Sequence, residues 1–174
     1  MNIIDIFINS LLLIFSFDRE LWKIILLSLY VSFIALIIGT FFGLLLGYLL
    51  AIKKFFLKNF LLVFINAMMG IPPVVVGLIV YFLFANQGPF GVFEILYTPT
   101  AMIIAQSIIV FPIISSFSHE IFLQSWKNYQ DQFRSLNMPF FGIVKTLFSQ
   151  SYFLIITALL SAFGRAISEV GAVM

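Results

Sequence analysis

An all-α fold, a polytopic bundle of transmembrane helices, is what this sequence predicts, and three observations predict it. Of 174 residues, 63% are hydrophobic and 9% are charged, where ordinary soluble domains carry about 25% charged residues. The apolar residues form long runs of a length that suits a bilayer, which needs about 20 apolar residues per spanning helix. The basic residues collect in the connections between runs. A soluble fold of this size could not hide so much apolar surface; lipid removes the difficulty.

The elements follow in order. Residues 1–17 are apolar but short, are interrupted by Asp5 and Asn9, and run into Asp18-Arg19-Glu20. Lacking the basic start and small-residue cleavage site of a secretory signal, residues 1–20 read as an interfacial helix on the outer face; an extra short span is the alternative. Spans are expected near 21–52, 60–85, 98–117 and 152–174. Lys53, Lys54 and Lys58 lie between the first two, and Asn86-Gln87-Gly88-Pro89, Gly91 and Tyr97-Thr98-Pro99 make a turn-rich loop before the third. Between the third and fourth runs lies the longest polar stretch, 118–151. Together with Lys53–Lys58 it holds six of the nine basic residues, so the positive-inside rule places both segments in the cytoplasm and the start of the first span outside. The chain stops at Met174 with no polar tail, which reads as C-terminal truncation.

Several function classes drop out. Cysteine is absent, which excludes thiol catalysis and cysteine metal sites. A single histidine, His119, cannot make a histidine-rich site. No phosphate loop, G-x-S-x-G or H-E-x-x-H motif occurs, and no basic face suits nucleic acid. The spans offer only Arg165 and Glu169 as ionisable groups, so the chain reads as no enzyme. It binds no metal or other cofactor of its own.

Three features could carry function. In 118–151, the apolar residues Phe122, Leu123, Trp126, Tyr129, Phe133, Leu136, Phe140, Phe141, Ile143, Val144 and Leu147 recur near helical spacing. The bland reading is amphipathic helices lying on the membrane surface; the sharper one is a short helix docking into a partner. Arg165 and Glu169 share a helix face. They either neutralise each other within a packed bundle, where Ser161, Gly164 and Ser168 supply close packing, or line a polar path. Gly70, Pro72 and Pro73 interrupt the second run as a helix hinge or a simple bend.

At three blocks the sequence resembles a known family. Gly70-Ile71-Pro72-Pro73-Val74-Val75-Val76-Gly77, Tyr97-Thr98-Pro99-Thr100-Ala101-Met102-Ile103-Ile104-Ala105-Gln106 and Gly164-Arg165-Ala166-Ile167-Ser168-Glu169-Val170-Gly171-Ala172-Val173 look like permease subunits of tungstate-type ABC transporters, within the molybdate/sulfate permease group. The resemblance implies the ABC importer permease fold and a homodimer around a translocation path. It also implies cytoplasmic ATPase subunits that use ATP and Mg, and an extracytoplasmic oxyanion-binding protein. A five-span core would add one helix after the fourth run. The family's coupling helix carries a Glu-Ala-Ala-x-x-x-Gly pattern, whose counterpart is Asp131-Gln132-Phe133-Arg134-Ser135-Leu136-Asn137, followed by Met138. The acid is kept in kind, and both alanines and the glycine are replaced. Along the path, Thr100, Gln106, Arg165 and Ser168 are the expected anion contacts or gate, with Glu169 as partner to Arg165. A molybdate or sulfate permease is the alternative within transport, and a non-transporting membrane scaffold or inactive fragment the alternative outside it.

Overall fold

The computed structural model describes residues 19–173, with side chains up to Glu169. Of the expected N-terminal interfacial segment, residues 1–18 lie outside the described residues, and Arg19 and Glu20 open the first helix. Five α-helices follow among the described residues: α1 (Arg19–Ile52), α2 (Lys58–Met69), α3 (Pro73–Phe84), α4 (Pro99–Ser135) and α5 (Phe140–Val173). A short 3-10 turn, Gly91–Phe93, lies between α3 and α4. Helices α1, α4 and α5 are each long and apolar enough to cross a membrane.

Helix α1 shows how sequence period becomes packing. Ala35, Gly39, Gly43, Gly47 and Ala51 recur every four residues and are all buried. Phe33, Ile37, Phe41 and Leu45 have the same period, two residues out of phase, and are all more than half exposed. Two residues of α-helix are 200°, so the small stripe and the large stripe occupy opposite faces. The large stripe suits lipid. The small one forms a groove that admits the ridge Val110, Ile114, Ser118 and Phe122 of α4, all of them buried. A Cβ on Gly43 would sit 2.8 Å from Ile114 Cγ2, and one on Gly47 would stand 2.8 Å from the His119 backbone nitrogen and collide with Ser118 Oγ. Ser118 Oγ donates to the Gly43 carbonyl at 3.1 Å, a contact that only this close approach permits.

The register of that groove fixes directions. Gly39 meets Val110, Gly43 meets Ile114 and Gly47 meets Ser118, a constant offset, so α1 and α4 run parallel. Helices α4 and α5 are antiparallel: Gln106 bonds to Ala166, Ser125 to Ser151, and Phe122 stacks near Phe148 with centroids 4.8 Å apart. Since α1 ends and α4 ends at the same end of the bundle, the chain between them must return across it. Helices α2 and α3 make that return as a broken span.

At Gly70, Pro72 and Pro73, where the sequence offers a helix hinge or a simple bend, the run near 60–85 divides into two helices. Each half has 12 residues, a rise of about 18 Å, against a hydrocarbon core of about 30 Å. They meet at 102°. The cause is local: Pro73 opens α3 at its first turn, where a missing N–H costs nothing, while Pro72 at φ −62°, ψ 137° is extended. Gly70 and Ile71 close α2 through hydrogen bonds to Ala67 and Met68.

A difference from the sequence expectation concerns 118–151. This stretch forms no separate surface-lying or projecting short helix. It is the continuation of α4 to Ser135, a turn at 136–139, and the first turns of α5. At 37 residues, α4 is about 55 Å long, far more than the bilayer core requires, so its polar final turns extend past the membrane. Of the apolar residues in this region, Phe122, Phe133 and Leu147 are buried with Tyr48 and Ala51, and Leu123, Trp126, Tyr129, Ile143 and Val144 pack around them. Leu136, Phe140 and Phe141 remain exposed.

Candidate translocation path and the α4–α5 corner

The corner is built from a complete helix-capping motif. Asn137 has φ 45°, the left-handed region. The Met138 N–H donates to the Phe133 carbonyl and the Asn137 N–H to the Arg134 carbonyl, the paired bonds of a Schellman motif. Its hydrophobic contact is present too, since Met138 packs on the cluster that contains Phe133. Phe133 is 5% exposed, with ring centroids 5.9 Å from Trp126 and 6.2 Å from Tyr129. Around this anchored core, Asp131, Gln132, Arg134, Ser135, Leu136 and Asn137 are all exposed. Arg134 lies 3.9 Å from Asp131 along the same helix. Asn137 occupies the position of the glycine in the pattern noted above. Both residue types tolerate left-handed backbone, which accounts for that replacement. Phe133, in the place of an alanine, is accommodated because it turns inward.

The expected path residues are distributed unequally. Arg165 Nε donates to Glu169 Oε1 at 3.1 Å, and the two side chains are 36% and 21% exposed. The other carboxylate oxygen, Oε2, is buried and has no hydrogen-bond partner among the described residues. Gln106 is almost wholly buried, and its Nε2 donates to the Ala166 carbonyl at 3.1 Å. That bond sets Gln106 beside the turn of α5 that carries Arg165. Ser168 is exposed and donates to the Arg165 carbonyl. Thr100 stands exposed at the first turn of α4, six residues before Gln106. Gln106 is therefore tied to the turn of α5 that carries Arg165, whose partner Glu169 lies one turn further along, whereas Thr100 and Ser168 are exposed.

The small residues expected to pack α5 are not the ones that do. Ser161 and Ser168 are exposed, and a Cβ on Gly164 would meet nothing within 4 Å among the described residues. Ala158, Ala162 and Ala166 face the bundle instead. They recur every four residues, as does the α1 stripe, and that period is the signal by which both could be found.

A helical membrane bundle with one broken span, a parallel helix pair sealed by glycine and a capped corner at one end defines a multi-pass membrane protein. Comparison with known proteins specifies the class: residues 39–173 match the family described as binding-protein-dependent transport system inner membrane component. The chain belongs to that family, as a transport subunit rather than an enzyme.

Three relatives narrow the resemblance. The tungstate uptake system permease protein TupB of Peptoclostridium acidaminophilum is 33% identical over 162 residues, covering 93% of this chain and 71% of that protein. A probable anion ABC transporter permease protein of Haloferax volcanii is 36% identical, covering 84% of this chain and 63% of that protein. TupB of Campylobacter jejuni subsp. jejuni serotype O:2 is 30% identical, covering 99% and 72%. The likeness to tungstate-type permeases read from the sequence is borne out.

Proposed function

We propose that this chain is the membrane-spanning permease subunit of an ATP-driven importer for a tetrahedral oxyanion of the tungstate type. The observation that carries the reading is the match along 39–173 together with two tungstate uptake permeases among the relatives. Two copies alternate between outward- and inward-open shapes. Their motion is driven by ATP hydrolysis in a separate cytoplasmic ATPase pair, and an extracytoplasmic binding protein delivers the anion.

The geometry supports a division of labour. The α4–α5 corner at Asp131–Met138 presents exposed polar and apolar groups on a buried aromatic anchor, as a surface that transmits force requires. Because α4 and α5 each continue as one helix from this corner into the bundle, displacement at Leu136 is carried toward Arg165 along α5 and, past Pro112, toward Gln106 along α4. The 102° break at Gly70–Pro72 is the place where the bundle can flex instead.

A dianion cannot enter hydrocarbon bare; its route needs donors or positive charge. Arg165 spends one of its five N–H donors on Glu169, leaving the terminal nitrogens for the anion. Gln106 acts as a strut holding the Arg165 turn of α5, since its amide N–H is committed to Ala166. The Lys53–Lys58 connection and the corner lie at the cytoplasmic end, and the 85–98 loop faces the binding protein. The test is reconstitution of the full-length permease with its ATPase and binding protein in proteoliposomes. ATP-dependent uptake of tungstate, with molybdate and sulfate as competitors, is the expected result. Uptake dominated by molybdate or sulfate would move the assignment within transport, and failure to co-purify any ATPase would favour a membrane scaffold.

A further inference from the structure

The outer face of α4 carries a polar stripe that ends at a particular pair. Ser116, Glu120, Gln124, Lys127 and Asp131 fall within about 80° of helix circumference, at 100° per residue. Ser116 is half-buried, and the four residues below it are exposed. Above Ser116 the same face changes character: Ala105, Ile109, Pro112 and Ile113 are buried in the apolar core. At the boundary, Ser116 Oγ donates to Asn66 Oδ1 of α2 at 2.7 Å. This bond uses the acceptor end of the Asn66 amide. The nitrogen end, with two N–H groups, has no partner among the described residues, and Asn66 is exposed.

An amide with two unsatisfied donors is unfavourable against lipid, where each unpaired polar group costs several kcal/mol. It is well placed against water or an anion. Asn59 lies two turns away on the same face of α2 and is also exposed, with the apolar Leu62 and Val63 between the two amides. The charges along the stripe include two that oppose an anion, Glu120 and Asp131, and one that favours it, Lys127; Lys58, at the start of α2, adds a second positive charge nearby. The uncharged Asn66–Ser116 pair stands beyond all of them, where polar surface gives way to apolar core.

Resting on the importer reading above, we infer that Asn66, oriented by Ser116, is an anion-contacting residue at the membrane end of a cytoplasm-facing vestibule. Its side-chain N–H groups hydrogen-bond the oxyanion as it leaves the apolar part of the route. Neutral donors serve a release point, because they hold a dianion less firmly than a guanidinium does.

The chain lacks cysteine, so an introduced thiol is the one thiol that these 174 residues carry, and its labelling is read on this chain's band against the unaltered complex. In the assembled complex, Asn66→Cys is expected to react with a charged, water-soluble thiol reagent applied from the ATPase side. Phe41→Cys, on the lipid face, should not react. Asn66→Leu and Asn66→Asp should each lower tungstate uptake about ten-fold or more, the size of a lost charge-assisted hydrogen bond. Asn66→Gln should retain most uptake, and ATPase co-purification should be unchanged throughout. An unreactive thiol at position 66, or uptake by Asn66→Asp within two-fold of the unaltered protein, would overturn the inference. If the unaltered complex moves no oxyanion, the importer reading fails, while thiol reactivity still decides whether this face is wet.

Discussion

At φ 45°, Asn137 holds a backbone conformation that β-branched residues adopt only with strain. The Schellman bonds at Phe133 and Arg134 depend on it. Asn137→Gly is therefore expected to leave thermal stability in detergent unchanged or slightly raised. Asn137→Val should lower it by about 1–2 kcal/mol and weaken ATPase co-purification. Arg165 and Glu169 make a different case. Removing the arginine leaves a largely buried carboxylate unpaired, so Arg165→Ala alone should destabilise more than Arg165→Ala combined with Glu169→Gln. Because the pair is partly exposed, the gap should be about 1–2 kcal/mol rather than that of a fully buried pair. Equal stabilities would show that the pair does not neutralise itself as drawn. Uptake should stay low in both variants, since both lack the guanidinium.

Among the elements, the α1–α4 contact is where small changes matter most. Gly47→Ala places a methyl against backbone at His119, which cannot yield, whereas Gly39→Ala meets chiefly the Val110 side chain. The expected order of destabilisation is Gly47 above Gly43 above Gly39, with Gly47→Ala costing about 1–3 kcal/mol as overpacking. Denaturation in mixed micelles would read the order. This stripe of small residues at every fourth position went unread in the sequence, because hydropathy alone obscures it: glycine counts as neither strongly apolar nor polar. The apolar runs of α1, α4 and α5 were legible for the opposite reason: their length and lack of charge leave little choice. The continuity of α4 through 118–135 was harder to read, since charged residues on a helix leaving the membrane resemble those of a connecting loop. The break at Gly70–Pro72 was legible as a proline effect, but its angle depends on how α3 packs against α4 and α5, which local sequence does not encode. Of the candidate path, Arg165 and Glu169 were legible as a same-face pair. The Asn66–Ser116 contact, fifty positions apart, exists only once the broken span returns across the bundle.

For the whole molecule, parallel α1 and α4 bring the Lys53–Lys58 connection and the α4–α5 corner to one end, with the 85–98 loop at the other. This arrangement follows from packing register and is independent of the charge rule that assigns the basic end to the cytoplasm. The account depends on the corner facing the compartment that holds ATP. Thiols introduced singly as Leu136→Cys and Gln87→Cys, treated with a membrane-impermeant reagent on intact cells, test that directly. The account predicts labelling of Gln87→Cys in intact cells and of Leu136→Cys only after the cells are opened. Labelling of Leu136→Cys from outside would put the corner out of reach of an ATPase and contradict the account.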